Sequence, residues 1–81
     1  MKRYRVIVKT DCEYSRNAVN LLTKKQIPFI CVVVDKDPEF LQKEKERLSW
    51  PTVPIIIDTT DEKEILIGGF SELEEILKDV S

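Results

Sequence analysis

The sequence predicts an α/β fold: four short strands in a mixed sheet flanked by helices, in the order β-α-β-α-β-β-α. Three observations predict it. Short β-branched runs of strand length recur along the chain, each bounded by proline, glycine or a polar turn. The first two are separated by a helical stripe, which implies parallel pairing through a right-handed crossover. The last two are separated only by a polar stretch, which implies an antiparallel hairpin.

Residues 4–9 alternate and are β-branched, as a strand requires. Over residues 13–26, Ala18, Val19, Leu21 and Leu22 place an apolar stripe on one helical face, and Pro28 ends the segment. Residues 29–34 form an unbroken apolar run, the pattern of a strand buried on both faces. Within it, Cys31 reads as a core residue rather than a redox partner. Asp37-Pro38-Glu39 then supplies a cap, a first-turn proline and an acid beside the helix dipole. Phe40, Leu41, Glu44 and Leu48 share roughly one face of this second helix, and Glu39 with Lys43 has the supportive four-residue spacing. After Ser49-Trp50-Pro51, the runs Ile55-Ile56-Ile57 and Ile65-Leu66-Ile67 are strands joined by the polar residues 58–64. Gly68-Gly69 ends the fourth strand. Residues 71–80 form the last helix, with Ser71 and Glu74 in the positions of a capping box.

Composition narrows the function. A chain of 81 residues, 42% hydrophobic, is expected to be a single domain spanning 1–81 whose core needs no metal or disulfide staple. Its two cysteines form no disulfide framework or zinc motif, and the absence of histidine removes imidazole metal sites and Cys–His pairs. A net charge of −2 argues against a nucleic-acid surface. Nothing reads as a signal peptide or a membrane span of ~20 apolar residues, so a cytoplasmic, reducing compartment is expected.

The most informative residue is Cys12, in Thr10-Asp11-Cys12-Glu13-Tyr14-Ser15-Arg16, between the first strand and the first helix. A thiol there lies near unpaired helix N–H groups and the positive end of the dipole, which favour the thiolate. Its charged neighbours Asp11 and Glu13 argue against burial. They oppose ionisation, whereas Lys9 and Arg16 favour it. Three residues on stands Ser15, whose hydroxyl can hydrogen-bond a thiolate but cannot complete thiol–disulfide exchange. One-thiol chemistry is therefore expected.

Lys9-Thr10-x-Cys12-x-Tyr14-Ser15, Thr52-Val53-Pro54 and Gly68-Gly69-Phe70-Ser71-Glu72 stand in the order and spacing of a glutaredoxin, and the chain resembles that family, within the thioredoxin fold, over nearly its whole length. The Cys-x-x-Ser site and Ser49-Trp50-Pro51-Thr52 resemble monothiol members, while the short loop before Cys12 resembles dithiol ones. The resemblance implies a glutathione-dependent thiol-disulfide oxidoreductase that deglutathionylates mixed disulfides through Cys12, with Ser15 beside it. It implies a glutathione groove formed by Lys9 and Gln42 toward the glycine carboxylate, Tyr14 as lining, and Thr52, Val53 and a cis Pro54 pairing with the tripeptide backbone. Gly69, Phe70, Ser71 and Glu72 would meet the γ-glutamyl end. The implied partners are glutathione or a similar small thiol and a glutathionylated or disulfide-containing protein, with no nucleic acid or membrane. Two rivals remain. One is a dimeric [2Fe-2S] carrier using Cys12 and glutathione, the other a non-catalytic binding module of the same fold. Trp50 fits either core packing or the rim of the site.

Overall fold

A computed structural model describes residues 2–78. Its elements are β1 (Tyr4–Val8), α1 (Glu13–Lys24), β2 (Phe29–Val33), α2 (Pro38–Leu48), β3 (Ile55–Asp58), β4 (Ile65–Gly68) and α3 (Phe70–Leu77). This is the expected order. The sheet runs β2-β1-β3-β4, with β1 parallel to β2 and antiparallel to β3, and β3 antiparallel to β4.

Strand alternation divides the core between the two faces of the sheet. Tyr4, Val6, Val8 and Ile56 point to one side and meet Ala18 and Leu22 of α1 and Leu73 and Leu77 of α3. Ile7, Ile55 and Ile57 point to the other and pack with Val34 and with Leu41 of α2. Three consecutive isoleucines thus serve both layers, because successive side chains of a strand face opposite ways. Among the described residues no helix is long and apolar enough to cross a membrane.

The run 29–34 is not buried on both faces. The hairpin β3–β4 adds to the far side of β1, which leaves β2 at the edge of the sheet. Ile30 is 61% and Val33 53% exposed, and Cys31 is an exposed thiol instead of a core residue. Although the residue is exposed overall, partial desolvation of its sulfur raises the Cys31 pKa. Only Val34, just past the strand, is buried on the α2 side.

Helix boundaries follow local chemistry. Helix α1 stops at Lys24, two residues short of the expected end, because Gln26 takes a positive φ of 58°. The Asp37 side chain accepts from Phe40 N–H at 3.1 Å and caps α2 as expected, with Pro38 in the first turn. Leu41 fills the core, whereas Phe40 is exposed. Lys43 Nζ lies 3.3 Å from Glu39. Arg47 is held by Glu44 at 2.7 and 2.8 Å and by Glu64 at 2.7 Å, and Glu64 also bonds Arg5, linking α2 to the hairpin loop and β1.

The last helix starts one residue early, at Phe70, so the expected Ser71–Glu74 box does not form. Instead Gly69 N–H donates to Glu72 Oε1 at 2.9 Å, and Leu73 N–H bonds Gly69 C=O at 3.0 Å. The expected extension to Val80 lies outside the described residues.

Gly68 closes β4 with φ of +126°, and a Cβ there would stand 2.9 Å from Glu72 Cγ and 3.0 Å from the Trp50 ring. Strain and crowding combine, so Gly68→Ala is expected to lower unfolding stability by ~2 kcal/mol in a urea titration. A loss below ~0.5 kcal/mol would contradict this packing.

Candidate active site

The nucleophile candidate is built by the end of β1 and the start of α1. Cys12 has extended backbone geometry and occupies the N-cap of α1, with its C=O accepting from Arg16 N–H at 3.2 Å. The thiol is half-buried and lies 3.8 Å from the Val53 carbonyl oxygen. Desolvation raises its pKa. Hydrogen bonds from the Ser15 hydroxyl, from Ser15 N–H and from Tyr14 N–H outweigh that effect and bring it below the ordinary thiol value, against a smaller opposing contribution from Asp11.

Ser15 is a buried polar side chain, 1% exposed. Its Oγ accepts from Lys9 N–H at 3.3 Å, which leaves the hydroxyl proton for the sulfur. Ionisation is thus favoured by these donors ahead of the cations expected to help. Arg16 is engaged elsewhere, its Nη1 donating to Thr10 C=O at 2.8 Å.

Beside Cys12 lies an open cleft of about 350 Å³ lined by Tyr14, Trp50, Thr52, Val53, Pro54, Gly69, Phe70, Ser71 and Glu72. Eight of the ten residues expected to form the groove therefore share one cavity. The Val53–Pro54 peptide is cis. Tyr14 is 59% exposed, its ring centroid 6.2 Å from that of Phe70, so two aromatic rings from different helices flank the cleft.

Two expected residues lie elsewhere. Lys9 lines a separate hollow of about 290 Å³ with Arg16, Asn20, Cys31 and Val33. Gln42 lines a hollow of about 390 Å³ on α2, where its Nε2 donates to Glu46 Oε1 at 3.2 Å. That hollow shares Trp50 with the cleft.

Trp50 serves both of the alternatives left open by its position. Its ring packs over Gly68 and Gly69 and also lines the cleft, and its Nε1–H is buried without a hydrogen-bond partner. Among the described residues no three His, Cys, Asp or Glu side chains gather as a metal site.

Asp35 is the residue that motif reading missed. Its Oδ1 accepts from Thr10 N–H at 3.0 Å, and Oδ2 accepts from the Thr10 hydroxyl. The signal was positional. Parallel pairing sets Tyr4 opposite Phe29 and Val8 opposite Val33, and continuing that register brings Asp35 opposite Thr10.

Comparison with known proteins agrees with this geometry. No curated protein is significantly similar in sequence. Among solved structures, glutaredoxin 1 from Francisella tularensis, solved with cacodylate, matches with a TM-score of 0.76 at 21% identity, covering 99% of this chain and 96% of that one. A glutaredoxin from Brucella melitensis matches with a TM-score of 0.75 at 25% identity, over 98% and 80%. The glutaredoxin-like NrdH-redoxin from Escherichia coli, described as having a thioredoxin-like activity profile, matches with a TM-score of 0.70 at 15% identity, over 98% and 95%. The glutaredoxin family model matches residues 5–62, more than half of the chain. With a half-buried, acidified thiol at a helix start, a thioredoxin-like sheet and that match, the chain belongs to the glutaredoxin family.

Proposed function

We propose that the protein is a glutathione-dependent thiol-disulfide oxidoreductase working by a monothiol route through Cys12. The observation that carries this reading is the acidified Cys12 thiol beside a cleft that two backbone turns and two helix starts line together. A thiolate held by hydrogen-bond donors is both nucleophile and leaving group, as exchange in two steps requires.

In the first step the Cys12 thiolate attacks the glutathione sulfur of a mixed disulfide. The S–S bond breaks, the partner leaves as a thiolate that takes a proton from solvent, and Cys12 becomes glutathionylated. In the second, the thiolate of another glutathione attacks the glutathionyl sulfur, releasing oxidised glutathione and restoring the Cys12 thiolate. Ser15 supplies no sulfur for an internal disulfide, so electrons come from the second glutathione.

The cleft supplies recognition. The Val53 N–H and C=O pair with the tripeptide's cysteine residue as an added strand. The γ-glutamyl group carries both charges, and the start of α3 offers both complements. Free helix N–H groups favour its carboxylate, and Glu72, engaged at Oε1 by Gly69 N–H, faces its ammonium with the other oxygen. Tyr14 and Phe70 flank the chain between. Lys9 and Gln42, which line neighbouring hollows, are the proposed contacts of the glycine carboxylate.

Steady turnover of a glutathione mixed disulfide tests the proposal. Turnover is expected to vanish in Cys12→Ala and to persist in Cys31→Ser. A coloured protein whose absorbance requires glutathione, with no turnover, would favour the [2Fe-2S] carrier instead. Absence of both would leave a binding module.

Ser15→Ala removes a donor to the thiolate but leaves the α1 amides in place. The Cys12 midpoint is expected to rise by about one pH unit, slowing alkylation roughly tenfold below that midpoint and leaving it unchanged well above. The sign follows from the ionised form being the one stabilised. An unchanged or lowered midpoint would remove Ser15 from the mechanism.

A further inference from the structure

The loop that carries Cys12 is gripped from outside its own strand and helix. Asp35, just beyond β2, binds Thr10 twice, through the backbone amide at 3.0 Å and through the side-chain hydroxyl. Arg16 holds the Thr10 carbonyl at 2.8 Å, so all three polar groups of one exposed residue are engaged. The neighbouring links then lead to the sulfur. Lys9 C=O accepts from Cys12 N–H at 3.2 Å, and Lys9 N–H donates to Ser15 Oγ at 3.3 Å. A hydroxyl that accepts from Lys9 N–H has one proton, and the direction of that proton depends on where Lys9 is held.

We propose that Asp35 is a positioning residue for Cys12: its two hydrogen bonds to Thr10 fix the 9–12 loop, so that Lys9 N–H seats Ser15 Oγ with its proton aimed at the sulfur. The inference rests on the reading of Cys12 as the nucleophile. Asp35 touches neither the sulfur nor the cleft lining, and it acts through Thr10, Lys9 and Ser15. The Thr10 hydroxyl and then its amide also hold the Asp35 carboxyl below the usual carboxylate range, against desolvation and with a lesser contribution from Lys9. The grip therefore persists throughout the range in which a thiol titrates.

Charge and hydrogen bonding make opposite predictions here. Removing a nearby negative charge eases formation of a thiolate, as loss of Asp11 would. Removing the grip lets Lys9 and Ser15 drift and hinders it. An Asn at 35 keeps an acceptor for the amide and presents donors to the hydroxyl oxygen, so it preserves the grip without the charge.

The test is alkylation of Cys12 by iodoacetamide against pH, in the full chain carrying Cys31→Ser so that one thiol reports. Asp35→Ala is expected to raise the Cys12 midpoint by about one pH unit, read as a roughly tenfold slower reaction below it. Asp35→Asn is expected to restore the rate to within about twofold, since an amide can replace both bonds. In a Ser15→Ala background, Asp35→Ala is expected to add little, because both variants remove the same aimed proton. Thr10→Val, which deletes only the hydroxyl bond at an exposed position, is expected to give a smaller rise, about threefold in rate. It decides the matter if circular dichroism shows Asp35→Ala unfolded.

A Cys12 midpoint that stays low in Asp35→Ala, or in Thr10→Val where that variant decides, overturns the inference alone. So does an Asp35→Asn as impaired as Asp35→Ala, or full additivity with Ser15→Ala. An unsubstituted midpoint near ~8.5 would instead overturn the reading of Cys12 itself, and the inference with it.

Discussion

A contest between desolvation and hydrogen bonding at the start of α1 sets how readily the Cys12 thiol ionises. Partial burial works against the anion, and Asp11 works with burial. Against them stand the Ser15 hydroxyl and the amides of Ser15 and Tyr14, fixed donors that need no reorganisation when charge forms. Donors win, and the rest of the structure can be understood as what holds them there. A cation would be screened by solvent at this partly open position, whereas short-range donors on a helix end are not displaced by salt.

The remaining elements fix that helix end and the cleft beside it. The layer of Tyr4, Val6, Val8 and Ile56 against Ala18, Leu22, Leu73 and Leu77 locks α1 and α3 onto the same sheet face. Their starts thereby present Tyr14 and Phe70 to one cavity. Two glycines at the end of β4 let the Trp50 ring and Glu72 come close, and Glu72 in return closes the start of α3 through Gly69. The same residues that complete the packing form the walls of the site.

Much of this was legible in the residues. Strand and helix order followed from periodicity, and the three spaced motifs marked out eight residues that share the cleft. What was missed depends on neighbours that a local pattern does not contain. An apolar run looks the same in a central and in an edge strand, so Cys31 and Ile30 read as core although the hairpin docks on the other side of β1. Ser71–Glu74 fits a capping box by spacing, but Gly69 and Glu72 satisfy the same need two residues earlier. Lys9 and Gln42 line other hollows, which the spacing of the motifs does not reveal. Asp35 belongs to no motif, and only the pairing register of β1 with β2 brings it to Thr10.

Two thiols of opposite character on one small chain offer the most direct check of the central claim. Cys12 is half-buried and acidified, while Cys31 is more exposed and pushed up. Intact-mass and peptide mapping after brief exposure to a glutathione mixed disulfide near pH 6 reads which sulfur reacts. A single glutathione adduct on Cys12, released by added glutathione, is the expected result. An adduct on Cys31 first, or equal labelling of both, would contradict it.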